Sequence, residues 1–210
     1  MLKGLLYATN NPGKVLEMGK LLNYYGIGVV SPNDLGMDLN VPETGSTLEE
    51  NARLKVKAYL AKSNDRLVLA DDTGLEIDAL NGEPGIRVRR WKDGETRMGD
   101  EEIIQHCLKL MVDIPMRSRG AQFKTVLALG LPNSNVEIYK GILRGVILEK
   151  DDPLRIEGFP FESLFFVSEW GMLLGHAAKL PAGQKNGRLN HREKALQKAI
   201  PRIKQLVSSH

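Results

Sequence analysis

Two adjacent carboxylates, Asp71 and Asp72, follow an apolar run from Leu67 to Ala70 and precede Thr73 and Gly74. A carboxylate at the end of a buried strand suits a hard, oxygen-seeking cation such as Mg²⁺. That ion takes one or two carboxylates and leaves its other positions to water and phosphate oxygens. Glu43, in the turn before a helix, is a candidate second ligand. Successive strand side chains point to opposite faces, so both aspartates reach one site only if the backbone turns there; one is expected to work and the other to support it. Asp72-Thr73-Gly74 has a rival meaning, the triplet of aspartic proteases, in which two carboxylates share a proton. One copy occurs, so that reading requires a dimer and leaves the lysines described next unexplained.

The stretch "TNNPGK" carries Thr9, Asn10, Asn11 and Lys14 through a polar turn into a helix. A helix N-terminus offers backbone N–H groups and partial positive charge to an anion. Lys14 in the first turn is disfavoured by the helix dipole unless something negative lies close by. The alternative is an ordinary Asn-capped helix with a solvated lysine; Walker-type glycine spacing is absent. In "ENARLKVKA", Asn51 and Lys55 lie one turn apart beside an apolar stripe, at the rim of whatever groove the helix packs along, with Lys55 able to reach a phosphate. Glu49 and Arg53 read as a solvated pair contributing little. The third region, "GFPFESLFF", contains Phe159, Phe161 and Glu162, and is joined by "NHR" at residues 190–192. Its rings serve either a core or the stacking of a nucleobase. Arg192 donates hydrogen bonds and accepts none, which favours a base bearing a carbonyl; His191 reads equally well as a surface residue in a helix's first turn.

The elements that must position these groups are an alternation of strands and helices. A short buried strand over 5–8 leads into a helix from Pro12 to about Tyr25, with Pro at the first helical position. Ser46 and Glu49 form a capping-box pattern opening a helix that ends near Ser63, with Leu48, Ala52, Val56, Tyr59 and Leu60 on its apolar side. After the strand at 67–70 come a Gly- and Pro-rich excursion and a helix from about Asp100 to Met111. Residues 121–131 and 136–148, rich in apolar and β-branched types and split by "PNSN", predict a long hairpin. Asn190 and Glu193 suggest a second capping box, opening a helix towards Val207 that Pro201 should kink or interrupt. The fold class is α/β.

With 210 residues and 42% hydrophobic content the chain can bury a sizeable core. A net charge of +3, with basic residues scattered, argues against duplex DNA or an anionic membrane as the main partner. The single cysteine, Cys107, excludes an internal disulfide and fits the reducing cytoplasm; the first residues hold too short an apolar run for a signal peptide.

Taken together, "ATNNPGK", "PETG", "ENARLKVKA", "LADDTGL", "NGEPGI", "GF" with a following aromatic, and "HR" occur in the order that resembles the inosine triphosphate pyrophosphatase family. The resemblance spans Thr9 to Arg192. It implies a two-lobed single domain over residues 1–210, built around a long mixed β-sheet flanked by helices, and a homodimer. It also implies Mg²⁺-dependent hydrolysis of ITP, dITP and XTP to the monophosphate and pyrophosphate. By position, it implies triphosphate binding by Thr9, Asn11 and Lys14 with Asn10 in the same turn, metal binding by Glu43 and Asp72, phosphate binding by Lys55, and a general-base role for Asp72. Thr73 matches a substrate contact, Phe159 the stacking aromatic, and His191 with Arg192 the pair that reads the base. The chain departs from the family at Pro160, Phe161, Glu162 and Ser163, at Asn190 in place of serine, and at Lys185, which sits one place from the usual lysine position, Asn186. These departures fall on the base side, whereas the phosphate and metal side is intact. A catalytically weak nucleotide-binding or sensing protein on the same fold is the alternative.

Overall fold

Strand β1 (Leu5–Tyr7) ends at Tyr7, and four residues later Asn11 caps helix α1 (Pro12–Tyr24). This computed structural model describes residues 4–63, 65–132, 134–181 and 184–208. The further strands are β2 (Val29–Val30), β3 (Leu67–Ile77), β4 (Pro84–Gly85), β5 (Gly120–Gly130), β6 (Glu137–Ile147), β7 (Phe165–Val167) and β8 (Met172–Leu173). The further helices are α2 (Leu48–Lys62), α3 (Asp100–Leu110), α4 (Leu174–Ala178) and α5 (His191–Ser208). The strands form one eight-stranded sheet in the order β2-β1-β3-β5-β6-β7-β8, with β4 added on β3. It is mixed: β1 is parallel to β2 and β3, whereas β3–β4, β6–β7 and β7–β8 are antiparallel.

The chain forms two compact units. Unit 1 comprises residues 1–73, 125–141 and 192–210, and unit 2 comprises 74–124 and 142–191. In unit 1, Leu5, Leu67, Leu69, Leu127 and Leu129 from the strands pack with Met18 and Leu22 of α1 and with Ala195, Leu196, Ala199 and Ile203 of α5. In unit 2, Ile103, Ile104 and Cys107 of α3 pack with Leu75, Ile77, Trp91, Phe123, Phe161 and Phe165. Burial pushes the Cys107 thiol up to about 12, as expected of an inert core cysteine. Among the described residues no helix is long and apolar enough to cross a membrane.

Several local expectations are corrected. The strand expected to stop at Ala70 continues through both aspartates to Ile77, because each carboxylate finds partners without the backbone leaving the sheet. Gly74 follows from that continuity, since a Cβ there would lie 2.5 Å from the Gly85 carbonyl oxygen of the neighbouring β4. Helix α2 is capped by Thr47, which accepts from Glu50 N, while the Glu50 carboxylate accepts from Ser46 N and Oγ; the box is displaced by one residue from the expected Ser46 and Glu49. Glu49 pairs with Lys140 and Arg53 donates to the Val136 carbonyl at 2.8 Å, so the two do not pair with each other. Pro201 does not interrupt α5. It lies on the exposed side, as does Gln197, whose carbonyl is the one left without a helical donor, while buried Ile200 and Ile203 hold the inner face. Strands β5 and β6 match the expected hairpin and neighbour one another in the sheet; Asn133 in its turn lies outside the described residues.

Candidate active site

Unit 1 gathers the acidic and basic candidates. At the start of α1, the Asn11 side chain accepts from Gly13 N at 2.9 Å and Lys14 N at 3.3 Å, and Val15 N donates to the Asn11 carbonyl. The expected free N–H groups are thus taken by the helix's own cap. What the turn does present is Lys14, whose ammonium sits 2.9 Å from Asp71 Oδ2, and that carboxylate is the negative group its place in the first turn requires. Asn11 N donates to Thr9 Oγ1 at 3.2 Å. Asn10 is pinned from two sides: its amide donates to the Leu39 carbonyl and accepts from Tyr59 OH.

Asp71 is fully buried and surrounded by donors. Tyr7 OH donates to Oδ1 at 2.7 Å; Thr73 Oγ1 and Arg192 Nε approach Oδ2 at 3.2 and 3.4 Å. Arg192, with 2% of its side chain exposed, also donates from Nη1 to Glu17 at 2.5 Å and from Nη2 to Thr73 Oγ1 at 3.5 Å. Burial alone would push the Asp71 carboxyl up, but Lys14, Arg192 and Lys55 together outweigh it and hold the group well below the usual carboxylate range. Burial pushes the Tyr7 phenol up, reinforced by Asp71, so Tyr7 remains a neutral donor. Tyr7 and Glu17 were not marked as site residues by the sequence. Tyr7 is indistinguishable there from an apolar strand residue; Glu17, three positions after Lys14, did carry a signal, the helical spacing that puts both on one side.

The next aspartate faces a different set. Lys55 Nζ lies 2.6 Å from Glu43 Oε1 and 3.0 Å from Asp72 Oδ1, and donates to the Asp71 carbonyl oxygen at 2.9 Å. Burial works against charge on Lys55, yet Asp72, Glu43 and Asp71 overcome it and hold its pKa above the ordinary lysine value. For Asp72 burial is the stronger influence, raising its carboxyl above the ordinary aspartate value against the opposing pull of Lys55 and Lys14. Asp72 is paired with the Lys55 ammonium, an arrangement the protease reading does not call for. Asn51, expected at a rim, is buried: Oδ1 accepts from Gly45 N at 2.8 Å and Nδ2 donates to Asp72 Oδ2 at 3.2 Å. Both ends of its amide are engaged by the protein, one by the Glu43 loop and one by Asp72.

The donor set fits a hard divalent cation. Glu43 and Asp72 converge on a single positive group, the Lys55 ammonium, through oxygens 2.6 and 3.0 Å from it. Among the described residues no cluster of three or more His, Cys, Asp or Glu side chains forms a ready-made cage. A cation held by this pair therefore takes its remaining oxygens from water or from a bound phosphate, the usual habit of Mg²⁺.

Unit 2 holds the candidates on the base side. Phe159 is half-buried, directly before a 3₁₀ turn over Pro160–Ser163. Phe161, expected as a possible stacking ring, is instead a core residue with 2% exposure, its ring centroid 6.0 Å from Trp91 and 6.3 Å from Phe123. Glu162 is buried in the same turn. Lys185 is half-buried, its carbonyl accepting from Arg188 N at 2.9 Å. His191 is buried and stacks on Phe123, centroids 4.6 Å apart and planes within 19°, so it is no surface residue. The boundary between the units falls between His191 and Arg192.

The Ham1 family profile matches residues 5–202. A dITP/XTP pyrophosphatase from Symbiobacterium thermophilum is 35% identical over 208 residues, 98% of this chain and 97% of that protein. One of the same name from Bacillus subtilis is 35% identical over 198 residues, 94% of this chain and 96% of its own. Among solved structures, the Ham1 protein of Staphylococcus aureus matches with a TM-score of 0.76 at 33% identity, covering 97% of this chain and 99% of its own.

Proposed function

Because this chain belongs to the Ham1 family, we propose that it is a Mg²⁺-dependent nucleoside triphosphate pyrophosphohydrolase acting on the non-standard purine nucleotides ITP, dITP and XTP. The observation that carries the reading is the Lys55 ammonium held between Glu43 and Asp72, beside the Lys14–Asp71 pair. Alternating charges packed this closely neutralise one another, and they pair oxygens suited to a metal with ammonium groups suited to phosphates.

Glu43 and Asp72 would hold Mg²⁺, which when bound supplies positive charge to the triphosphate. Lys55 and Lys14 counter the charge that grows on the pyrophosphate as it departs. Asp72, whose burial makes it a better base than an exposed aspartate, takes a proton from the attacking water. The water oxygen bonds to the α-phosphorus, the bond from that phosphorus to the bridging α,β oxygen breaks, and the monophosphate and pyrophosphate form. Thr9, Asn10, Asn11 and Thr73, in the same unit as Lys14 and Lys55, are assigned to the phosphate side. Phe159, half-buried where Phe161 is sealed in the core, is the ring assigned to stacking the base, with His191, Glu162 and Lys185 in the same unit. Arg192 is the proposed donor to a 6-keto oxygen; its primary duty is to balance Asp71 and Glu17. A reducing cytoplasmic setting accords with the single buried cysteine, and the family resemblance supports a homodimer, which sedimentation equilibrium tests.

The deciding experiment presents ITP, dITP, XTP, GTP, ATP and dUTP with Mg²⁺ and measures pyrophosphate against orthophosphate. Pyrophosphate from the first three, with little from the others, is the expected outcome. Orthophosphate as the product, or tight nucleotide binding without turnover, overturns the reading, and the latter favours a nucleotide sensor.

A further inference from the structure

We infer that Asn51 is a positioning residue that fixes the spacing of the two carboxylates in the cation site, an inference that rests on the reading of Glu43 and Asp72 as metal ligands. One buried amide reaches both sides of that site. Its Oδ1 accepts from the backbone N–H of Gly45, two residues beyond Glu43, and its Nδ2 donates to Asp72 Oδ2 on β3. The amide orientation is dictated by chemistry, since a backbone N–H can only donate and an ionised carboxylate can only accept. Asp72 is thereby fixed in rotation as well as position, with Oδ2 on Asn51 and Oδ1 on Lys55.

The fit leaves no slack. A Cβ on Gly45 would stand 2.7 Å from Asn51 Oδ1 and 2.6 Å from Glu50 Cβ, so the Glu43 loop lies directly against helix α2. An apolar side chain in place of Asn51 would strand two buried polar partners, and an aspartate would set one carboxylate against another. The helix thus supplies, one turn apart, an ammonium that both carboxylates share and an amide that holds the frame carrying them. Partners of this kind, which touch the ligands and not the ion, commonly govern metal affinity.

The test uses Mn²⁺ as a spectroscopic probe, titrated by electron paramagnetic resonance into the full nucleotide-free chain as wild type, Asn51→Ala, Glu43→Gln and the double variant. Asn51→Ala should weaken Mn²⁺ binding about 10- to 100-fold. In the Glu43→Gln background the same change should cost less than about threefold, because coupled groups are non-additive. At saturating metal, kcat for ITP should fall in Asn51→Ala with KM nearly unchanged. Should Asn51→Ala fail to fold, Gly45→Ala keeps the amide but displaces the loop, and it must weaken Mn²⁺ binding too. Unchanged affinity, equal losses in both backgrounds, or a wild-type protein that binds no Mn²⁺ overturns the inference. Pyrophosphate release by the wild type is scored separately, so the activity can survive the loss of this role for Asn51, and the reverse.

Discussion

Unit 1 and unit 2 solve opposite problems with their functional candidates. In unit 1 the charged candidates are paired around three buried groups, Asp71, Asp72 and Arg192: Asp71 with Lys14 and Arg192, Asp72 and the exposed Glu43 with Lys55, Arg192 with Glu17. In unit 2 most of the candidates are rings, and rings are equally at home in a core, so Phe161 packs against Trp91 and Phe123 while His191 stacks on Phe123. The contrast teaches that a buried ion network ties residue identity to chemistry, whereas an aromatic cluster leaves it loosely specified. The departures from the family pattern, Pro160 to Ser163 and Asn190, lie in or beside that looser region.

That contrast can be broken by substitution, and the largest effect belongs to unit 1. Asp72→Asn should lower pyrophosphate release from ITP by about 10³-fold or more while circular dichroism shows a folded chain, because Lys55 keeps Glu43 and the Asp71 carbonyl. Asp71→Asn should cost about 3–5 kcal/mol in urea unfolding at pH 7, since it leaves Lys14 and Arg192 facing a neutral amide. The folded Asp71 carboxyl lies below its unfolded range of about 4, so its stabilisation is complete above that pH and is lost on acidification; the variant's stability should therefore change less between about pH 7 and 3 than the wild type's. In unit 2 the two neighbouring rings should separate. Phe161→Ala should cost about 3–5 kcal/mol of stability, read by thermal melting, with KM little altered in the folded fraction. Phe159→Ala should weaken nucleotide binding by about 1–3 kcal/mol, read by calorimetry with a non-hydrolysable ITP analogue, and leave melting nearly unchanged. Smallest of all, Lys140→Ala, which removes an exposed partner of Glu49, should shift stability by less than about 1 kcal/mol.

The sequence carried more of unit 1 than of unit 2 for the same reason. Lys14, Lys55 and Asp72 stand out because charged residues beside apolar runs need partners, and Glu43, by itself a loop acid, gains meaning as a second ligand beside Asp72; the structure brings Lys55 onto both Glu43 and Asp72 and Lys14 onto Asp71. The α/β alternation and the long hairpin were likewise legible from periodicity. Three things were not. Helical spacing puts Asn51 on a face beside a groove but gives no depth; its burial depends on a loop and a strand remote in sequence. The continuation of β3 past Asp71 depends on Lys14, Lys55, Asn51 and Arg192, contacts that no local propensity encodes. The core role of Phe161 against the half-buried Phe159 depends on which of two rings the short 3₁₀ turn directs inward, and their alternation alone leaves that open.

Unit 1 is stitched from three separate stretches of chain, the last beginning at Arg192, and α5 contributes Ala195, Leu196, Ala199 and Ile203 to its interior. During synthesis, then, the residues for Asp71's surroundings emerge early but lack their guanidinium counterweight until translation reaches position 192, after every residue of unit 2 has been made. A message truncated before α5 would yield a product in which Asp71 keeps Lys14 and Tyr7 but lacks its guanidinium, and in which the apolar residues that meet α5 have nothing to cover them.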